Sequence, residues 1–259
     1  MTTLTRSLAN PPRRTTFAGV RQILTFNWPQ YVRGGLALLL ALGTAAWLPE
    51  VWALGLIAAA ALAAYWMFAS LAASHWVYDR SEILDLAWLR RYANGTFPRW
   101  LNIHAGFDQI SGRLMQVLSR NGLTIDLYRA EEMTEPSISR ARAASVTIGP
   151  SAAGTPDHLP ADSGSVDLAV LLFAAHEMRL PARRAALFAE VRRTLASGGR
   201  IVVAEHLRNA AGFAAFGPGV FHFFSRQTWL AAFAAGGLRV VEEYSVTPFA
   251  RVFILEDMP

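Results

Sequence analysis

Cysteine is absent from this chain, which excludes a disulfide framework, thiolate catalysis and any Cys-ligated zinc. Lysine is absent too. All 24 basic residues are arginine, a bias that with the many alanines points to a GC-rich bacterial genome rather than to a function. Acidic residues are missing from one region: residues 1–33 hold Arg6, Arg13, Arg14, Arg21 and Arg33 and neither Asp nor Glu. The other 19 Arg therefore balance the 19 acids, and the net charge of +5 belongs to this basic cytoplasmic arm. A nucleic-acid footprint is a basic face on a folded domain. Here the rest of the chain is neutral, so no nucleic-acid partner is expected.

Charge of either sign is also lacking from Gly34–Leu48 and from Val51–Ala73, which only Pro49 and Glu50 separate. A helix over the second run would measure roughly 35 Å, enough for a bilayer core of about 30 Å. Trp28, Tyr31 and a snorkelling Arg33 extend the first run to the interface. Residues 34–73 thus read as a two-helix transmembrane hairpin with a polar tip at Pro49-Glu50. The five Arg before it, and Arg80, Arg90 and Arg91 after it, place both ends in the cytoplasm. The run starts too far from Met1 for a cleaved signal peptide; a buried hairpin of a soluble protein is the competing reading. Residues 74–99 read as a juxtamembrane linker helix, lying on the membrane or across the domain's ligand mouth, with Ile83, Leu84, Leu86, Trp88 and Leu89 on one face and Asn94-Gly95 and Pro98 ending it. Copies of the chain could also associate through the hairpin, and the lipid bilayer is its first partner.

From Trp100 to the C-terminus, residues 100–259, short buried strands alternate with helices. Strands are predicted at Trp100–Ile103, Leu123–Leu127, Val146–Ile148, Val166–Phe173, Ile201–Ala204, Val240–Val246 and Arg251–Leu255. Helices are predicted from Asp108 to Arg120, from Pro136 to Ala144, from Pro181 to the Gly198-Gly199 turn, and from a Ser225 cap to Ala235. The last two strands read as an antiparallel hairpin. Such alternation is an α/β, Rossmann-like doubly wound sheet, which binds ligands at the carboxyl ends of its strands. Two neighbouring strands run out there into titratable pairs, His176-Glu177 and Glu205-His206. Two such pairs on one sheet edge point to a site.

The stretch Leu159, Pro160, Asp162, Ser165, Asp167, together with Glu190–His206 (EVRRTLASGGRIVVAEH), resembles the class I S-adenosylmethionine-dependent methyltransferases, type 11-like. That resemblance implies a seven-stranded sheet, S-adenosylmethionine as cofactor and methyl transfer as the reaction. The family's first strand leads into an acid and a Gly-x-Gly-x-Gly turn. Here the turn is degenerate: LNIHAGFDQIS has Asn102 in place of the acid, His104 in place of the first glycine, and Gly106 retained. The resemblance further implies Asp126 on the ribose hydroxyls, and Thr155 or Asp157 at the adenine amine.

Methyl transfer from a sulfonium needs alignment above all. Where the acceptor carries a proton, His176 or His206 could remove it, each with an adjacent carboxylate, Glu177 or Glu205, to set its tautomer. The same four side chains are acceptable metal ligands, but adjacent residues rarely point the same way, and no metal is assigned. Phe213, Phe216, Phe221, Phe223 and Phe224 follow the fifth strand and suit a hydrophobic small-molecule acceptor. The expectation is a membrane-anchored methyltransferase acting on a lipid, quinone or similar molecule, in the inner membrane with its catalytic domain facing the cytoplasm. Two alternatives stand beside it: a cofactor-free pseudoenzyme serving as a membrane-bound partner or assembly factor, and an enzyme using the same cofactor for another reaction.

Overall fold

The computed structural model describes residues 16–95, 98–144 and 151–258. Two long antiparallel helices, α1 (Ala18–Ala45) and α2 (Glu50–His75), precede a seven-stranded sheet. After them come β1 (Trp100–His104), α3 (Ser111–Val117), β2 (Gly122–Asp126), α4 (Pro136–Ala144), β3 (Ser151–Ala153) and β4 (Val166–Leu172). The chain ends with α5 (Pro181–Thr194), β5 (Leu195–His206), α6 (Ala210–Phe216), α7 (Arg226–Ala235), β6 (Leu238–Thr247) and β7 (Ala250–Asp257). The strand order is β3-β2-β1-β4-β5-β7-β6. β7 runs antiparallel to β5 and β6, and the other pairings are parallel. This is the doubly wound sheet with a reversed last hairpin that the sequence pattern predicts.

Both faces of the sheet are covered, as its unbroken apolar strands require. Alternate residues separate cleanly: Ala169, Leu171, Ile201 and Val203 face a core closed by α5 and α7 through Leu187, Phe188, Trp229 and Phe233. Leu168, Val170, Leu172, Val202 and Ala204 face the other way. There the cover comes from α3 and from residues 76–92. The helix expected over 74–99 is instead a π turn (Trp76–Arg80) and two 3-10 turns (Glu82–Leu84 and Ala87–Tyr92). Leu86 between the 3-10 turns has a left-handed φ of 61°, which ends helical propagation. Val77, Ile83, Leu86 and Leu89 are all buried against the sheet, so this segment is a layer of the domain.

Three boundaries differ from expectation. The predicted strand at Val146–Ile148 lies outside the described residues, and the third strand is Ser151–Ala153. α5 stops at Thr194 rather than at the glycine pair, because Leu195 already pairs with Val166 and draws the backbone into the sheet. α1 begins at Ala18, so Arg21 and Arg33 sit on a helix and not on a free arm.

Of the two long helices, α2 with its continuation to Arg80 is long and apolar enough to cross a membrane, and little of it is buried. Leu39, Leu40, Trp47, Val51, Trp52 and Phe68 on the hairpin are more than two-thirds exposed. The base of the hairpin is clasped. Asp79 accepts hydrogen bonds from the backbone N–H of Gly19 (2.6 Å) and Val20 (3.4 Å), the second and third residues of α1, and is held in turn by His75 (3.0 Å). It is an N-cap supplied from sixty residues away. A Cβ on Gly19 would lie 2.5 Å from that of Tyr78, so only glycine permits the approach. Replacing Asp79 by Ala should lower stability in detergent by about 0.5–2 kcal/mol, the usual loss for an N-cap. An unchanged denaturation midpoint would mean that apolar contacts alone hold the hairpin base.

Candidate active site

A cavity of about 450 Å³ lies at the carboxyl edge of the sheet, beneath the base of the hairpin. Its roof is formed by Phe26, Asn27, Ser70, Ser74 and Tyr78. One wall comes from the turn after β1 and from α4, through Ala105, Phe107, Gln109, Ile138 and Ala141. The opposite wall carries Phe173, His176, Glu177, His206, His222 and Phe223. The roof is fastened by Phe26 edge-on to Phe107 (5.1 Å between ring centres), by Arg140 donating to the Phe26 carbonyl, and by Trp66 against Phe213 (5.7 Å).

Glu205 organises the polar wall. The β4–β5 register sets Leu172 opposite Ala204, so the turn after β4 passes directly over Glu205. That side chain is fully buried, and its Oε1 accepts the backbone N–H of Ala175 (2.9 Å) and His176 (3.2 Å). Its Oε2 meets Nδ1 of His176 at 2.7 Å. Nε2 of His176 then lies 3.2 Å from Oε1 of Glu177. Adjacent residues do converge here, against the sequence expectation. The reason is that Ala175–Glu177 is a 3-10 turn, in which successive side chains are about 120° apart rather than opposed as on a strand. The backbone approaches this turn through Phe173, which holds a left-handed φ of 53° and stacks on His206 (4.6 Å). Such backbone strain concentrates at functional sites.

Burial opposes a charge on His176, but Glu205 and Glu177 on either side outweigh it and raise its pKa to about 10. The ring is thus an imidazolium held between two carboxylates, a donor rather than a base. Burial alone would raise the Glu177 pKa, but the charge and hydrogen bond of His176 bring it below the ordinary carboxylate value. His206 is different. Nδ1–H donates to the Phe249 carbonyl (3.0 Å), and Nε2 accepts from the Tyr78 hydroxyl (2.9 Å). Both nitrogens are engaged, so His206 forms the aromatic floor of the cavity and is not a free base. Of the four residues expected to be catalytic, His176, Glu177 and His206 line the cavity, and Glu205 stands behind them as a positioning residue.

The residues expected at the cofactor fall elsewhere. Asn102 is buried and ties Asp108 (3.0 Å) and Ser111 (2.8 Å), which shapes the turn after β1. Gly106 keeps the positive φ (85°) that this turn needs, and its N–H donates to Asp126 (2.8 Å). Asp126 also accepts from the N–H of Tyr128 (2.9 Å) and pairs with Arg142, so both of its oxygens are occupied. His104 is buried next to Asp126, and burial lowers its pKa. Thr155 pairs with His158 in a bridge after β3, and Asp157 is bonded to Arg183 (3.1 Å). None of these six lines the cavity. Gln109, Glu135 and Tyr78 are among the lining residues that were not singled out as site residues. His222 was visible in the Phe-rich segment, of which Phe216 and Phe223 reach the cavity, Phe213 and Phe221 are exposed, and Phe224 packs on Trp229. Glu135 and Tyr78 carry no local sequence signal.

Residues 110–203 match the family model of a methyltransferase domain. Among solved structures, the [4+2]-cyclase SpnF aligns with a TM-score of 0.52 at 14% identity, over 71% of this chain and 83% of its own. An S-adenosylmethionine-dependent methyltransferase from Clostridium acetobutylicum aligns with a TM-score of 0.50 at 10% identity, over 68% and 91% of the two chains. No curated protein matches the chain in sequence. The fold is therefore the one S-adenosylmethionine-dependent methyltransferases use. It also serves a cyclase, and a fold does not by itself select a reaction.

Two measurements follow from this geometry. Desolvation, with the charges of His176 and His222, lowers the His206 pKa from 6.5 to about 4. The unfolded chain therefore binds this proton first. The stability contributed by the neutral ring is complete above about pH 6.5 and declines toward pH 4, by up to about 3 kcal/mol. Unfolding in detergent across that range should show the decline, and His206→Phe should flatten it. A double-mutant cycle on His176→Ala and Glu205→Ala should return a coupling of about 0.5–3 kcal/mol in stability. Additive losses would mean the buried pair is energetically idle.

Proposed function

We propose that this protein is a membrane-anchored, S-adenosylmethionine-dependent methyltransferase that acts on a lipophilic small molecule at the cytoplasmic face of the inner membrane. The observation that carries this reading is the composition of the cavity: hairpin residues roof it, aromatic rings floor it, and one ionised wall faces inward. An acceptor of lipid or quinone type would leave the bilayer along α1 and α2 and meet the sheet edge without crossing water. The exposed apolar surface of the hairpin and the apolar length of α2 support the anchor.

The cofactor fits the space. Gln109 on the cavity wall has a buried Oε1 with no hydrogen-bond partner, an acceptor awaiting an ammonium or hydroxyl group. Phe107, Ile138 and Ala141 supply apolar surface beside it. When bound, S-adenosylmethionine supplies a methyl group already activated on sulfur. The chain's own task is then positioning, for which roughly 7–11 kcal/mol of the barrier is available. The His176–Glu177 pair orients a polar head group by donating and accepting hydrogen bonds. The aromatic floor keeps water from the reacting end.

Calorimetry on the detergent-solubilised chain should show one site for S-adenosylmethionine and for S-adenosylhomocysteine, in the micromolar range. Asp126→Ala should weaken both by roughly 1.5–3 kcal/mol, through loss of the turn after β1 that it holds and whose Ala105 and Phe107 line the cavity. No heat at high micromolar ligand would favour a second reading, a membrane-bound partner that needs no cofactor. One observation supports that alternative: Arg142 and two backbone N–H groups already satisfy Asp126. Vesicle flotation tests the anchor, and a full-length chain soluble without detergent would overturn it.

A further inference from the structure

Three carboxylates on the polar wall of the cavity stand against two positive charges, the His176 imidazolium and Arg179. They are Glu135, Glu177 and Glu205; Arg179 donates to the backbone carbonyls of His176 (3.1 Å) and His222 (2.7 Å), and its charge acts on Glu135. Two histidines stand among these acids, and each is braced in the same way. Nδ1 of His176 is bonded to Glu205 (2.7 Å), and Nδ1 of His222 is bonded to Glu135 (3.0 Å). Both rings are thereby turned so that Nε2 approaches Oε1 of Glu177, at 3.2 Å from His176 and 4.0 Å from His222. One ligand atom from each of His176, Glu177 and His222 lies within 4.8 Å of the other two. All three residues line the cavity.

The geometry points to a binding site for one divalent transition-metal ion, held by His176, Glu177 and His222. Three features carry the inference. Two imidazoles and one carboxylate are a ligand set that transition ions accept and Mg²⁺ does not favour. Bonds of about 2.1 Å to tetrahedral ligands put those ligands about 3.4 Å apart, so the 3.2 Å pair is already in place, and closing a separation of up to 4.8 Å needs the His222 loop to shift by about 1.4 Å at most. The carboxylates on both Nδ1 atoms are the outer partners that metal-bound histidines almost always have; they hold Nδ1–H, so that the ion takes Nε2 and, at His176, displaces the Nε2 proton to solvent. The ion would also supply the positive charge that the three carboxylates lack. Three protein ligands leave coordination positions open toward the cavity, where an oxygen-bearing head group, hydroxyl or enol, would bind and become more acidic.

This site goes beyond methyl transfer and does not depend on it, because the titration uses no methyl donor. The full-length chain in detergent, stripped with a chelator, would be titrated with Co²⁺, read by its visible absorption, and with Zn²⁺ in competition with a chromophoric chelator. Mg²⁺ is the hard-ion control. One equivalent of Co²⁺ or Zn²⁺ per chain is expected, with an accompanying rise in melting temperature. His222→Ala and Glu177→Gln should abolish both effects, and Glu135→Gln should weaken affinity about 10–100-fold. His158→Ala, on a loop away from the cavity, should change nothing. His222→Gln serves as a second variant, since His222 stands on a partly exposed turn and its replacement leaves the core intact. Absence of stoichiometric uptake, uptake unaffected by the His222 and Glu177 changes in folded variants, or equal uptake of Mg²⁺ would each overturn the proposal.

Discussion

Glu205 is a carboxylate placed where no water can reach it, and the site is arranged around satisfying it. An unpaired charge at that depth costs several kcal/mol, so its hydrogen bonds are obligatory. Two backbone N–H groups and one imidazole supply them. Meeting that demand draws the chain after β4 into a tight 3-10 turn. The turn in turn aims His176 and Glu177 at the cavity instead of letting them follow a strand outward. One buried acid thus sets the position of His176 and Glu177, and Arg179 ties the His222 loop to the same turn.

The hairpin and the sheet are one construction at this point. Phe26, Asn27, Ser70, Ser74 and Tyr78 close a cavity whose floor belongs to the domain, and Tyr78 bonds directly to His206. Asp79, next in sequence, caps α1, so the residues that hold the hairpin together adjoin the residues that roof the site. On the proposed reading, anchoring and substrate access are therefore the same feature. Removing the hairpin would open the cavity to water as well as release the domain.

The turn after β1 is held by its own side chains. Asn102 does the structural work of ordering Asp108 and Ser111, and Gly106 keeps the positive φ. Asp126 faces that turn and is bonded within it. The polar chemistry of the cavity comes instead from the ends of β4 and β5 and from the Phe-rich loop. The two titratable pairs at those strand ends therefore stand at or behind the cavity wall, and the six residues expected at the cofactor stand outside it.

The sequence by itself determined the architecture. Alternating strands and helices, the apolar runs of β4 and β5, Pro181 at the start of α5 and the Ser225 cap on α7 are local signals, legible because periodicity and capping act over a few residues. It also determined that His176, Glu177, Glu205 and His206 would gather at one sheet edge, since parallel strands align their carboxyl ends. Only the tertiary structure decided their separate roles. Burial and partners made Glu205 a brace, engaged both nitrogens of His206, and left His176 and Glu177 facing the cavity. Glu135, His222 and Tyr78 join the cavity wall from positions 40 or more residues from His176 and Glu177 in the chain. Residues 74–99 likewise became a sheet-covering layer because Val77, Ile83, Leu86 and Leu89 found an uncovered face of the sheet, and the exposure of that face depended on strands not yet reached in the sequence. Contacts of this range depend on which surfaces the fold brings together, and a local pattern carries no record of them.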